Sequence, residues 1–231
     1  MVKTTIIALI LGFATFSVAQ TQTVKLVDVS NPAQKFITFT GSMTLTSQGK
    51  NTYSASNESA TGQNVSGKDI VAFLAYLKWG VNGPDMQMLF RHDHFFKAHD
   101  LMNGESFQIP INGETFTEPL SGSGTPHFTI QVGAIQFSDG STWGDATALQ
   151  WIASNREGLR NYLQQLLNTY TNSGEQAFLS LLEQPQPRGT SSASISAALQ
   201  GQPVSTAIPY ITTSLRNGNG RSAAVKNMSP Q

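Results

Sequence analysis

Ile70-Val71-Ala72-Phe73-Leu74-Ala75-Tyr76-Leu77-Lys78-Trp79 is an apolar run that stops at Gly80. In extended conformation Ile70, Ala72, Leu74, Tyr76 and Lys78 point one way, and Val71, Phe73, Ala75, Leu77 and Trp79 point the other. Both faces are largely apolar, as in a central strand covered on both sides. The β-branched and aromatic content and the glycine stop favour a strand over a helix.

Working outward, runs of similar length alternate with turn residues. Downstream lie Met86 to Phe90, Phe95-Phe96, Ser106 to Pro110 after the Asn103-Gly104 turn, and Glu114 to Thr117 after Asn112-Gly113. His127 to Phe137 closes the series. Its alternation changes phase at Gly133, which fits a bulge that swaps the inward face. Upstream, Val24 to Val29 is interrupted by Asn31-Pro32, and Phe36 to Thr40 and Met43 to Thr46 flank Gly41-Ser42, a bulge or turn. Tyr53 to Asn57 is a weaker strand. About seven to nine short strands predict a mainly β fold, an immunoglobulin-like antiparallel β-sandwich over residues 20–144.

After the Asp139-Gly140-Ser141 turn and Trp143-Gly144, the period changes. Asp145 is placed to accept from the free N–H groups of a first helical turn. Leu149, Ile152, Leu159, Leu163, Leu166, Leu167 and Tyr170 recur at helical spacing, with Arg156, Arg160, Gln164 and Asn168 on the other side. Ser173 and Gln176 form a capping-box pattern that opens a second helix through Phe178, Leu181 and Leu182, ended by Pro185 and Pro187. A two-helix extension over 145–183 is therefore expected. Residues 184–231 are rich in Ser, Thr, Gly, Asn and Pro, with Arg188, Arg216, Arg221 and Lys226 but no acid. This composition predicts a flexible, low-complexity tail. Ile195, Leu199, Val204, Ile208, Tyr210, Ile211 and Leu215 leave open the alternative that it docks on the domain.

At the other end, Lys3 precedes an uncharged apolar run from Thr4 to Phe16, followed by Ser17-Val18-Ala19. The run is shorter than the roughly 20 residues of a spanning helix. Its small-residue exit predicts a cleavable signal peptide over 1–19, cut between Ala19 and Gln20, and hence a secreted or periplasmic protein. No later segment is apolar for long enough to cross a membrane. The chain contains no cysteine, which excludes disulfides, thiolate nucleophiles and thiolate metal sites.

Charged residues make up 12% of the chain, against roughly 25% in ordinary soluble proteins. Fourteen basic and 14 acidic residues cancel, which argues against a nucleic-acid partner. The densest group of titratable side chains is Arg91-His92-Asp93-His94 with His99-Asp100. In an extended piece His92 and His94 share one face, and these two imidazoles with a carboxylate would complete a metal site, with His99 as a further candidate ligand. The competing reading is a polar connection flanking Phe95-Phe96, shaped by Asp100 and the Asn103-Gly104 turn. There is no G-x-S-x-G elbow, and Asp93, Asp100, Glu105, Glu114 and Glu118 lie in turn-rich segments, so no catalytic residue and no cofactor are assigned. Asn57-Glu58-Ser59 and Asn64-Val65-Ser66 match the N-glycosylation pattern. Trp79, Trp143 and Trp151 offer either a sugar-stacking platform or core packing.

Two stretches carry a resemblance: Asn64-Val65-Ser66-Gly67-Lys68-Asp69-Ile70, leading into the apolar strand, and Ala134-Ile135-Gln136-Phe137-Ser138-Asp139-Gly140-Ser141-Thr142-Trp143-Gly144. Together they resemble a group of uncharacterised exported bacterial proteins with an immunoglobulin-like sandwich followed by a helical extension, over about Phe36 to Glu183. The resemblance implies a fold and assigns no catalytic residue. Independently of it, Asn-x-Ser-Gly is suited to bonding its own backbone. The expected function is a non-catalytic binding or structural role at the cell envelope or outside the cell, with a protein or glycan partner. A sheet edge, the segment Arg91 to His99 or an exposed helix face would meet it. The alternatives are a carbohydrate-binding module and a metal-dependent hydrolase using His92 and His94.

Overall fold

The structure is a computed structural model that describes residues 21–30, 36–49, 52–81, 86–111, 120–121 and 125–228. The cleavage site at Ala19 and Gln20, Asn31-Pro32 and the predicted strand from Glu114 to Thr117 lie outside these residues. The described strands are β1 (Thr21–Asp28), β2 (Ile37–Gly49), β3 (Thr52–Asn64), β4 (Ile70–Gly80), β5 (Met86–Asp93), β6 (Ser106–Ile109), β7 (Leu120–Ser121), β8 (His127–Phe137) and β9 (Thr142–Gly144). Helices α1 (Ala146–Leu182), α2 (Ser191–Leu199) and α3 (Val204–Met228) follow.

The mainly β fold is present, but its strands form one nine-stranded sheet that curls nearly into a barrel. The order is β5-β4-β8-β1-β2-β3-β6, with β7 added to β3 and β9 to β8. Strand β1 joins the two halves of this curled sheet. Residues 21–25 of β1 pair antiparallel with β2, and Leu26 to Asp28 pair parallel with β8. One strand thus hydrogen-bonds to both halves.

The interior is filled from all sides. Phe73, Ala75, Leu77 and Trp79 of β4 meet Met43 and Leu45 of β2, Phe107 of β6 and Phe128 and Ile130 of β8 in one core. The opposite face of β4 is also buried: Ala72 and Leu74, with Ala134, lie beneath Ala148 and Ile152 of α1. The double apolar face of β4 thus has two causes, the barrel interior and a helix.

Gly133 is the bulge expected of it. Leu74 pairs with Ala134 and Ala75 with Val132, so Gly133 is the extra residue, and a Cβ there would lie 2.6 Å from the Tyr76 ring. Gly41-Ser42, by contrast, lies within β2, with the register shift just after it. At the end of β9, Gly144 at φ 111° hands the chain to Asp145, whose carboxylate accepts from Ala148 N at 2.9 Å. Helix α1 breaks at Gly174 (φ 80°, ψ −175°), so the two expected helices are its two arms.

Within the low-complexity segment 184–231, α2 and α3 carry the chain to Met228 and pack on α1, the docked alternative left open by its apolar residues. Thr190 caps α2, its hydroxyl accepting from Ala193 N at 3.2 Å. Leu199, Ala207, Ile211 and Leu215 pack with Leu159, Leu163, Leu166, Phe178 and Leu182 in a second core. The terminal carbonyl groups of α1 are satisfied by the same segment: the Leu182 carbonyl accepts from Ser196 Oγ at 2.9 Å and Gln200 Nε2 at 2.7 Å. Small polar residues, which suggested flexibility, instead let α2 lie close to α1. Among the described residues no helix is long and apolar enough to cross a membrane.

Candidate functional site

Strand β5 is a sheet edge, and its last residues lead into the segment singled out for its histidines. His94 N donates to Val71 O at 2.8 Å, the chain turns through Phe95 and Lys97, and Leu101 returns to pair with Ile70. Asp93 shapes the turn by accepting from Phe95 N at 2.9 Å.

The three predicted metal ligands are neighbours. The rings of His92 and His94 have centroids 4.2 Å apart, and those of His94 and His99 are 5.7 Å apart and nearly perpendicular. Other contacts account for their positions. His92 stacks on Phe73 at 5.3 Å and lies 5.1 Å from Phe107, and burial pushes its pKa down to about 3, helped by the charges of His94 and Lys97. His94 Nδ1 lies 2.9 Å from the His99 carbonyl, which can only accept, so the proton sits on Nδ1. Burial lowers its pKa too, with Lys97 adding to the effect. Among the described residues no group of three or more His, Asp or Glu side chains is placed to hold a metal ion.

Two arginines from the helices fasten this loop. Arg156 makes a two-pronged pair with Asp93, Nε to Oδ2 at 2.8 Å and Nη2 to Oδ1 at 3.0 Å, while Nη1 donates to Gln136 Oε1. Its guanidinium also lies 4.4 Å from the Phe95 ring centroid. Arg221 of α3 pairs with Asp100 at the other end of the loop. Between them α3 passes so close that a Cβ on Gly218 would lie 2.5 Å from Phe96. Sequence reading placed Arg156 on the polar side and Arg221 in a tail. The available signal was spacing: Arg156 is four residues after Ile152 and three before Leu159, on the edge of the apolar stripe itself.

The clamped loop and the helices enclose a cleft of about 150 Å³, with Asp93, Lys97, Arg156, Leu159, Ser194 and Tyr210 among its lining residues. Beside it, a groove of about 340 Å³ is lined by Lys97, Ala98, Arg216, Asn217, Gly220 and Arg221.

The two familiar stretches meet at one end of the barrel. Asn64 is fully buried: its amide nitrogen donates to Lys68 O at 2.8 Å and Leu101 O at 3.0 Å, and its amide oxygen accepts from Ser66 N at 3.0 Å and Ser66 Oγ at 2.7 Å. In the folded chain this matched glycosylation pattern is thus a structural motif, whereas Asn57 is exposed at φ 53°. Lys68 reaches Asp139 at 2.6 Å, and hydrogen bonds from Lys68 and Ser141 hold that carboxyl well below the usual range. The tryptophans are dispersed: Trp79 is in the core, Trp143 packs on Phe36, and Trp151 lies under Arg91.

The chain matches no family model, and comparison with curated proteins and with solved structures gives no match either.

Proposed function

We propose that the chain is an exported, non-catalytic binding protein whose contact surface is the histidine loop with its helical buttress. The observation that carries this reading is the double fastening of the loop, by Arg156 to Asp93 and by Arg221 to Asp100. A loop held at both ends presents a pre-formed cleft, which spares a partner the entropy of ordering it. Tyr210, 46% exposed, and the exposed Lys97 are the side chains there that a partner would meet first. The reading keeps the signal peptide over 1–19 as the route of export. It also takes the curled sheet as an immunoglobulin-like sandwich whose halves are joined through β1, and the resemblance to exported bacterial proteins supports it. The carbohydrate reading is weaker, because the three indoles do not share one exposed platform.

The test is site-specific photocrosslinking in the envelope fraction of an exporting host. A photoreactive residue at Tyr210 should form a discrete adduct, and the same residue at Val27, exposed on β1, should not. Equal labelling at both positions, or none at Tyr210, overturns the proposal.

A further inference from the structure

The geometry points to the groove between the histidine loop and α3 as a binding site for a phosphomonoester group. The inference deepens the reading of this face as the contact surface and supplies the chemistry of its ligand.

Three of the six residues lining the groove are cations, Lys97, Arg216 and Arg221, and none is an acid. In a chain with 12% charged residues and no net charge, that concentration is local and one-signed. The three cations are not equivalent. Arg221 is matched by Asp100 behind it and also donates to the Lys97 carbonyl at 3.4 Å, which fixes its guanidinium in place. Lys97 and Arg216 are exposed and, among the described residues, have no ion-pair partner. The groove therefore presents an excess of two positive charges beside one pre-oriented guanidinium.

A phosphomonoester carries about −1.5 to −2 at neutral pH on three strong acceptor oxygens, so it can neutralise both free cations at once. A carboxylate or a sulfate ester brings a single charge. Room for the group is present: a Cβ built on Gly220 meets nothing within 4 Å, so the wall formed by α3 is open there.

The test uses the chain from Gln20 onward and inorganic phosphate as the probe, with the monoanions methyl sulfate and acetate at matched ionic strength, followed by calorimetry and by the histidine ring resonances. Phosphate should bind saturably and more tightly than methyl sulfate or acetate. Lys97→Gln and Arg216→Gln should each weaken it about tenfold, the scale of one charge-assisted hydrogen bond. Both side chains are exposed, so melting curves without phosphate should be unchanged. Phosphate binding no stronger than methyl sulfate or acetate, or undiminished in Arg216→Gln, overturns the proposal. Vesicles containing phosphatidic acid distinguish the sources: variant-sensitive retention assigns the group to a lipid, and phosphate binding without retention assigns it to a soluble ligand. If phosphate fails while the Tyr210 crosslink forms, the contact surface stands and its phosphoryl ligand falls. Phosphate binding without the crosslink gives the reverse.

Discussion

His92 shows how one side chain can be chemically prominent in sequence and structurally occupied in the fold. Its ring fills an aromatic slot between Phe73 and Phe107 and is held neutral by burial, with His94 and Lys97 as the nearby positive groups and Arg91 and Asp93 beside it on β5. Its proton affinity is thus lower in the folded chain than in the unfolded one. From pH 6.5, its ordinary value, down to about 3, the unfolded chain binds a proton that the folded chain refuses. Stability is full above that window and falls as pH falls through it, by at most about 1.4 kcal/mol per pH unit from this residue. Urea unfolding across the window should show a shallower acid limb for His92→Phe, with His94 and, at the acid end, the Asp139 carboxyl contributing to the slope that remains; an unaltered limb refutes the assignment. Residue chemistry was legible where it is local, as in the Asn64-Val65-Ser66 motif, whose bonds are mostly to its own neighbours. The roles of Arg156 and Arg221 depend on Asp93 and Asp100, at sequence separations of 63 and 121 residues, which no spacing rule connects.

Elements were readable where period and punctuation agreed. The bounds of β4 and β8 follow from alternation, the bulge at Gly133 from its phase change, and the start of α1 from Asp145. The failure was α3. Asn217-Gly218-Asn219-Gly220 has the composition of two turns, yet the helix runs through it because tertiary contact overrides local preference. The two glycines respond oppositely to substitution. Alanine is favoured over glycine in a helix by about 1 kcal/mol, and at Gly220 nothing opposes that gain. At Gly218 a methyl group would lie 2.5 Å from Phe96, and overpacking costs about 1–3 kcal/mol. Thermal melts should therefore rise for Gly220→Ala and fall for Gly218→Ala; a rise for both would show that α3 does not press on the histidine loop.

At the scale of the molecule, the leucines of α1 divide between two tasks that their periodicity does not separate. The first turns of α1, at Ala148 and Ile152, cover the outer face of β4, whereas Leu159, Leu163 and Leu166 further along the same arm belong to a core shared with α2 and α3. The last helices are thus partners of α1, and Phe96 of the histidine loop packs against the same cluster. Leu199, Ile211 and Leu215 are each buried there, at roughly 1.5–3 kcal/mol per side chain. Their sum is comparable to the whole stability of an ordinary domain, about 5–15 kcal/mol. A chain ending at Glu183 should therefore keep the strand signature of its circular dichroism, because the barrel core draws on β1 to β6 and β8 without α2 or α3. Its second arm, with Phe178, Leu181 and Leu182 uncovered, should bind an apolar dye and self-associate. Its histidine loop, without Arg221 and Gly218, should be cut early by protease near Lys97. A truncated chain that stays monomeric, excludes the dye and resists cleavage at Lys97 as well as the full chain would show that the helical core stands without α2 and α3.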